Sequence, residues 1–233
     1  MWLPARGMDR LLAADKGEQW LRWDYLRTNQ HRIFYAVNQH VQLTVIAVVV
    51  GLLISFPLAV LAYRYRRLAT AILGFEGALY TIPSIALFGA LVPLFGLTYT
   101  TAEIGLVSYT LLILTRNVLA GLDAVPEEVR EAATGMGIGR TRMLLTVELP
   151  LALPAVFAGI RLATVTTVGL VTVTALIAQP SLGQLITDGI GNFDRTPIVV
   201  GTVLSILLAG IAYALLQGIE RLFSPWTRRA RAR

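Results

Sequence analysis

The chain has 233 residues, 55% of them hydrophobic and only 15% charged, against about 25% charged in a soluble domain. Most of it is therefore expected to lie in lipid, and the net charge of +6 reads as arginine flanking membrane segments rather than as a nucleic-acid footprint. There is no cysteine, and the two histidines, His31 and His40, precede the first apolar run. Disulfide frameworks, thiolate metal sites and cysteine nucleophiles are excluded.

The N-terminal segment, residues 1–40, mixes charge with aromatics and holds no apolar core of a cleavable signal peptide. From Gly17 to His40 it carries Trp20, Trp23, Tyr25, Phe34 and Tyr35 among arginines. That pattern suits either a helix lying in the membrane interface or a short helix packed on a membrane bundle. A long apolar region follows over 41–222, and a basic tail over 223–233.

A membrane helix needs roughly 20 apolar residues. Five runs meet that length: Gln42–Tyr63, Ala69–Phe95, Ala102–Leu122, Leu149–Ala178 and Thr196–Ile219. The fold class predicted is an all-α membrane protein of about five spans. The runs are too long and too uniformly apolar for barrel strands. With the N-terminus outside and the C-terminus in the cytoplasm, twelve arginines fall inside and seven basic residues outside. The positive-inside rule favours that orientation, although six of the seven lie together in the N-terminal segment.

Two features interrupt the runs. Glu76 lies in the second and Arg161 in the fourth. A charge facing lipid is costly, so the two are candidates for an intramembrane pair, the alternative being separate structural roles. Thr81-Ile82-Pro83-Ser84 puts a proline in the second run. Proline frees a carbonyl and bends a helix, and Thr81 or Ser84 could satisfy freed groups. Thr81, Pro83 and Ser84 are thus candidates for a gate or pathway wall, or for a packing kink.

Between the third and fourth runs lies the longest inside loop, about 123–148. Pro126, Glu127 and Glu128 suit the first turn of a helix. Val129, Ala132, Ala133 and Met136 recur at helical spacing as a small apolar face, and Gly135, Gly137 and Gly139 end the helix. The loop reads as a short amphipathic helix-turn, fit either to dock another surface or to fold against its own bundle.

This segment, "EAATGMGIGRTRMLLTVELP" from Glu131 to Pro150, resembles the EAA motif of permease subunits of binding-protein-dependent ABC importers. Glu131, Ala132, Ala133, Gly137, Leu149 and Pro150 match in register, and Val147 stands where that family has isoleucine. The resemblance implies a type I importer permease fold in which these residues form a coupling helix seated in a cytoplasmic ATPase. It further implies ATP and magnesium held by that ATPase rather than by this chain, a second permease subunit, identical or related, and an extracytoplasmic substrate-binding protein. Tyr80–Gly96, Leu114–Leu122 and Glu148–Val165 look like the osmoprotectant branch, which serves glycine betaine, choline and carnitine. Where that family has a glycine-rich turn, this chain reads Ala178-Gln179-Pro180-Ser181.

Other classes fit less well. No P-loop is present, since Lys16 is the only lysine and stands outside such a pattern. The apolar runs hold no histidine for a zinc protease. A secondary transporter or channel would usually show an internal repeat, and none is evident. An importer permease for an amino acid or another small solute remains the alternative within the class.

Overall fold

A computed structural model describes residues 20–223; the first nineteen residues, and the basic tail beyond Phe223, lie outside the described region. Among the described residues nine helical segments follow one another: α1 (Trp23–Thr28), α2 (Gln30–Arg64), α3 (Arg66–Thr81), α4 (Ser84–Phe95), α5 (Tyr99–Asp123), α6 (Glu127–Gly135), α7 (Arg140–Ile177), α8 (Leu182–Gly191) and α9 (Arg195–Phe223). Among the described residues there is no strand. α2, α5, α7 and α9 are each long and apolar enough to cross a membrane, and the bent α3–α4 pair makes a fifth span when taken as one.

α5 is the central helix. Of its apolar window 56% is buried, against 17% for α9. Leu43, Ala47, Phe88, Ala102, Leu106 and Val171 form one core layer, where α2, α4 and α7 meet α5. Ala59, Val118, Leu122, Ala152 and Val156 form a second, toward the α6 end. Lipid tails are as apolar as leucine, so such layers hold by close packing rather than by exclusion of water.

The second apolar run is not one kinked helix. α3 and α4 meet at 94°. Ile82, which precedes the proline, is extended at ψ 127°, and Pro83 follows with φ −56° and ψ 133°. A residue before proline is driven out of the helical region, and proline offers no N–H to the preceding turn. Of the two expected satisfiers only Thr81 acts, its hydroxyl donating to the Ala78 carbonyl at 2.8 Å. The Ile82 carbonyl accepts instead from the Tyr109 hydroxyl on α5.

The fourth run also differs from its expected bounds. α7 starts at Arg140, nine residues early, and contains a π turn over Leu144–Glu148 just before Pro150. Proline removes the donor to the carbonyl four residues back, which loosens the α register there. At its other end α7 tightens into a 3₁₀ turn over Thr174–Ile177 and stops at Ala178, whose φ is 59°. Alanine thus takes the left-handed conformation that glycine usually supplies. Gln179 secures the turn, its Nε2 donating to the Leu97 carbonyl at 3.2 Å.

α2 runs through residue 40, the boundary read from the sequence, without a break. The N-terminal segment packs on the bundle: Leu26, Ile33, Ala36 and Val37 meet Leu182, Leu185 and Val200 of α8 and α9. Trp20, Trp23 and Phe34 stay exposed on its other side. Arg22 pairs with Asp194 and Arg32 with Asp188. Two of the basic residues that weakened the charge count are therefore neutralised locally.

α8 lies hard against α7. A Cβ at Gly183 would meet the Thr172 carbonyl oxygen at 1.9 Å, which backbone cannot yield to. Overpacking costs about 1–3 kcal/mol, so Gly183→Ala should lower the thermal denaturation midpoint of the purified protein by several degrees. An unchanged midpoint would show that the two helices separate freely at this contact.

Candidate functional site

α6 stands at one end of the bundle, with the C-termini of α2 and α5 and the N-termini of α3 and α7. Pro126 precedes the helix rather than opening it, and Glu127 and Glu128 fill the first turn, where carboxylates suit the positive end of the helix dipole. The far end closes as a Schellman motif. Gly137 adopts φ 77°, its N–H donates to the Thr134 carbonyl at 2.9 Å, and the Ile138 N–H donates to the Ala133 carbonyl at 3.1 Å. That pair of bonds needs a left-handed residue at position 137, which explains the glycine there.

The four-residue apolar stripe read from the sequence straddles two environments. Ala133 is buried and Val129 half-buried against the bundle, while Ala132 and Met136 are exposed. Glu131 is exposed beside Ala132. The outward side of α6 thus presents a carboxylate, a methyl and a 73% exposed Met136. Val147, Leu149 and Pro150 belong to α7, half-buried at its π turn and just after it.

A cluster that sequence reasoning missed joins these two pieces. Arg130 donates from Nε to the Glu148 carboxylate at 2.9 Å, from Nη1 to Glu127 at 2.9 Å and from Nη2 to the Leu122 carbonyl at 2.8 Å. The Tyr63 hydroxyl donates to the same Glu148 oxygen at 2.6 Å. Arg66 and Arg130 both lie over the Tyr63 ring, 5.4 and 5.7 Å from its centroid. Arg66 also forks onto Asp123 at 2.5 and 3.0 Å. One connected set of charges therefore ties α6 to the ends of α2, α3, α5 and α7. It borders a cleft of about 810 Å³ whose wall includes Arg64, Ile138 and Arg140.

The only sequence signal for this cluster was a pair of opposite charges interleaved with the motif. Arg130 immediately precedes Glu131, and Glu148 sits between Val147 and Leu149. By sequence alone Arg130 is one of the twelve inside arginines of the charge asymmetry.

The expected pair of Glu76 with Arg161 does not form. Arg161 pairs with Glu220 on α9 and lies 5.7 Å from the Tyr213 ring centroid. α9 continues to Phe223, past the end read from the sequence, and that extra turn brings Glu220 alongside. Glu76 faces α5, where its Oε1 accepts from the Thr115 hydroxyl at 2.8 Å. Thr81, Pro83 and Ser84 lie at the α3–α4 break, with Thr81 and Pro83 exposed and Ser84 half-buried. Among the described residues no group of three acidic or histidine side chains could hold a metal ion.

A bundle with a broken second span and a short helix clasped across one end has the architecture of an importer permease. An inward-facing structure of the MetNI methionine ABC transporter superposes with a TM-score of 0.77 over 84% of this chain and 98% of that one, at 20% identity. The model of the family of binding-protein-dependent transport system inner membrane components matches residues 34–229, and this chain belongs to that family. It is 36% identical to the osmoprotectant import permease protein OsmW of Salmonella typhimurium, over 86% of this chain and 96% of that protein. It is 32% identical to the glycine betaine/carnitine/choline transport system permease protein OpuCB of Bacillus subtilis, over 86% and 93%. The chain is a membrane permease component, and ATP hydrolysis in such a system belongs to a separate subunit.

Arg130→Ala would leave Glu148, whose side chain is 7% exposed, with Tyr63 as its remaining hydrogen-bond donor. Breaking a buried pair costs about 3–5 kcal/mol; with Arg130 22% exposed, screening reduces this to about 1–3 kcal/mol. The denaturation midpoint should fall, and adding Glu148→Gln should recover part of the loss. Single losses that merely add in the double variant would show that the two side chains are not coupled.

Proposed function

We propose that this chain forms the translocation path for quaternary-amine osmoprotectants such as glycine betaine, choline or carnitine, delivered by an extracytoplasmic binding protein. The observation that carries this reading is the similarity along nearly the whole chain to permeases named for those solutes. The partners are then two ATPase subunits holding ATP and magnesium, a second permease subunit and the binding protein. The charge asymmetry supports an outside N-terminus, with α6 on the cytoplasmic side.

In this reading α6 is the coupling helix. Glu131, Ala132 and the exposed Met136 form the side offered to the ATPase; Ala133, Gly137, Val147, Leu149 and Pro150 fix that side relative to the bundle. A small methyl at position 132 lets another surface come close. The ion-pair cluster around Arg130 makes α6 move as one piece with the ends of α2 and α7. A displacement imposed by ATP binding then reaches the spans rather than being absorbed in a loop.

Two experiments test this. Vesicles holding the permease, ATPase and binding protein should accumulate labelled glycine betaine, choline or carnitine when ATP is supplied. Uptake of none of them would remove the substrate assignment while leaving the family membership intact. Ala132→Arg puts a long charged side chain on the exposed side of α6. It should reduce ATP hydrolysis stimulated by the binding protein at least tenfold, with normal permease levels in the membrane. Full stimulation in that variant would rule out α6 as the coupling element.

A further inference from the structure

The cleft beside α6 carries positive charge that its own wall does not answer. The wall holds four arginines, Arg64, Arg66, Arg130 and Arg140, and two glutamates, Glu127 and Glu148. Arg130 takes both glutamates, and Arg66 forks onto Asp123, which is not part of the wall. Among the described residues the side chains of Arg64 and Arg140 have no ion pair, hydrogen bond or ring contact. Both are exposed where they border the cleft.

The cleft also has a definite depth in the membrane. Tyr63 is the last residue of the first apolar run, and Arg64 is the next. Arg66 stands three residues before the second run, and Glu148 immediately before the fourth. Three residues of helix span about 4.5 Å, and the headgroup region is roughly 5–8 Å thick on each side of the hydrocarbon. These residues therefore stand in the headgroup layer. The wall is graded as well. Val60 lies one turn deeper than Arg64 on the same face of α2, and Met143 and Leu144 of α7 add apolar surface. A soluble phosphate would use the arginines alone, whereas a phospholipid uses both kinds of wall.

We propose that this cleft binds an anionic phospholipid such as phosphatidylglycerol, its phosphate held by Arg64 and Arg140. Guanidinium groups bind phosphate oxygens through paired N–H donors, and basic pockets between membrane helices take anionic headgroups in this way. A zwitterionic lipid brings its own ammonium, which would leave the two arginine charges unanswered. At about 810 Å³ the cleft falls within the roughly 300–1,000 Å³ of small-molecule sites, so a headgroup enters whole. Arg64 ends α2 and Arg140 opens α7. One bound lipid would thus join these two helix ends, beside the bridge that the Arg130 cluster already makes.

The test equilibrates the assembled permease–ATPase complex with vesicles of equal phosphatidylglycerol and phosphatidylcholine. The complex is then purified in mild detergent, and bound lipid is counted by mass spectrometry of the intact assembly. Phosphatidylglycerol should be retained at least fivefold over phosphatidylcholine. Arg64→Gln combined with Arg140→Gln should bring that ratio close to one, and the two lysine replacements together should recover most of the preference. Arg142→Gln removes an exposed arginine that does not line the cleft and should leave the preference intact. Each single glutamine variant should lose part of it, and these carry the test if the joint variant does not assemble. Wild-type preference in the glutamine variants, or an equal loss in Arg142→Gln, overturns the proposal. So does equal retention of the two lipids by the unaltered complex. Displacement of the lipid by millimolar glycerol 3-phosphate would make a soluble phosphate the occupant. A preference shown by the free permease but lost in the complex would give the cleft to the ATPase. Either result overturns the lipid site.

Discussion

Every backbone N–H and C=O inside hydrocarbon must find a partner within the protein, and the fold is organised around the few places where helices cannot supply one. At the α3–α4 break the Ile82 carbonyl is taken by Tyr109 from α5. At the α7–α8 turn Gln179 bridges to the Leu97 carbonyl. At the start of α8 the Leu182 N–H donates to Nδ1 of the fully buried His40, and Nε2 of the same ring faces the Val168 carbonyl at 3.0 Å. Since Nδ1 accepts, Nε2 carries the proton, and one neutral imidazole joins α2, α7 and α8. Each repair reaches across to a distant segment of the chain, so the breaks are also the points where the bundle is stitched together.

Charges follow the same logic. A lone ion in the apolar interior is costly, and the structure spreads its ions into local sets. Arg161 has Glu220 and the Tyr213 ring. The α6 end concentrates Tyr63, Arg66, Asp123, Glu127, Arg130 and Glu148 into one cluster. At the opposite end Arg22 and Arg32 are matched by Asp194 and Asp188. Glu76 is left half-satisfied, which sets it apart from these pairs.

Much of the architecture was legible in the sequence because hydrophobic length is a strong signal in lipid. The five apolar runs correspond to α2, α3 with α4, α5, α7 and α9. What was not legible lay in tertiary partners and in local backbone chemistry. Nothing in a hydropathy pattern says that Pro83 turns the chain through a right angle rather than a mild kink. Nothing in it says that Ala178 would accept a left-handed conformation. The expected Glu76–Arg161 pair failed because two charges near midspan need not share a face, and Glu220 fell one residue beyond the run that was read as the last span. Of the candidate site, the motif positions were visible through the family resemblance, and the helix-ending role of Gly137 from its place after the apolar stripe. Arg130 and Glu148 were not, because their pairing depends on a π turn that aims Glu148 inward.

α6 is a helix with two separate audiences. Arg130 and Ala133 turn toward the bundle, while Glu131, Ala132 and Met136 turn away from it. Substitutions on the outward side leave the inward attachments untouched, and the reverse holds as well. With α6 as the proposed coupling helix, a lineage could retune this permease to a different ATPase by drifting a few outward side chains, without rebuilding the membrane bundle. Conversely, the bundle could change its cargo while the shared motor stayed the same.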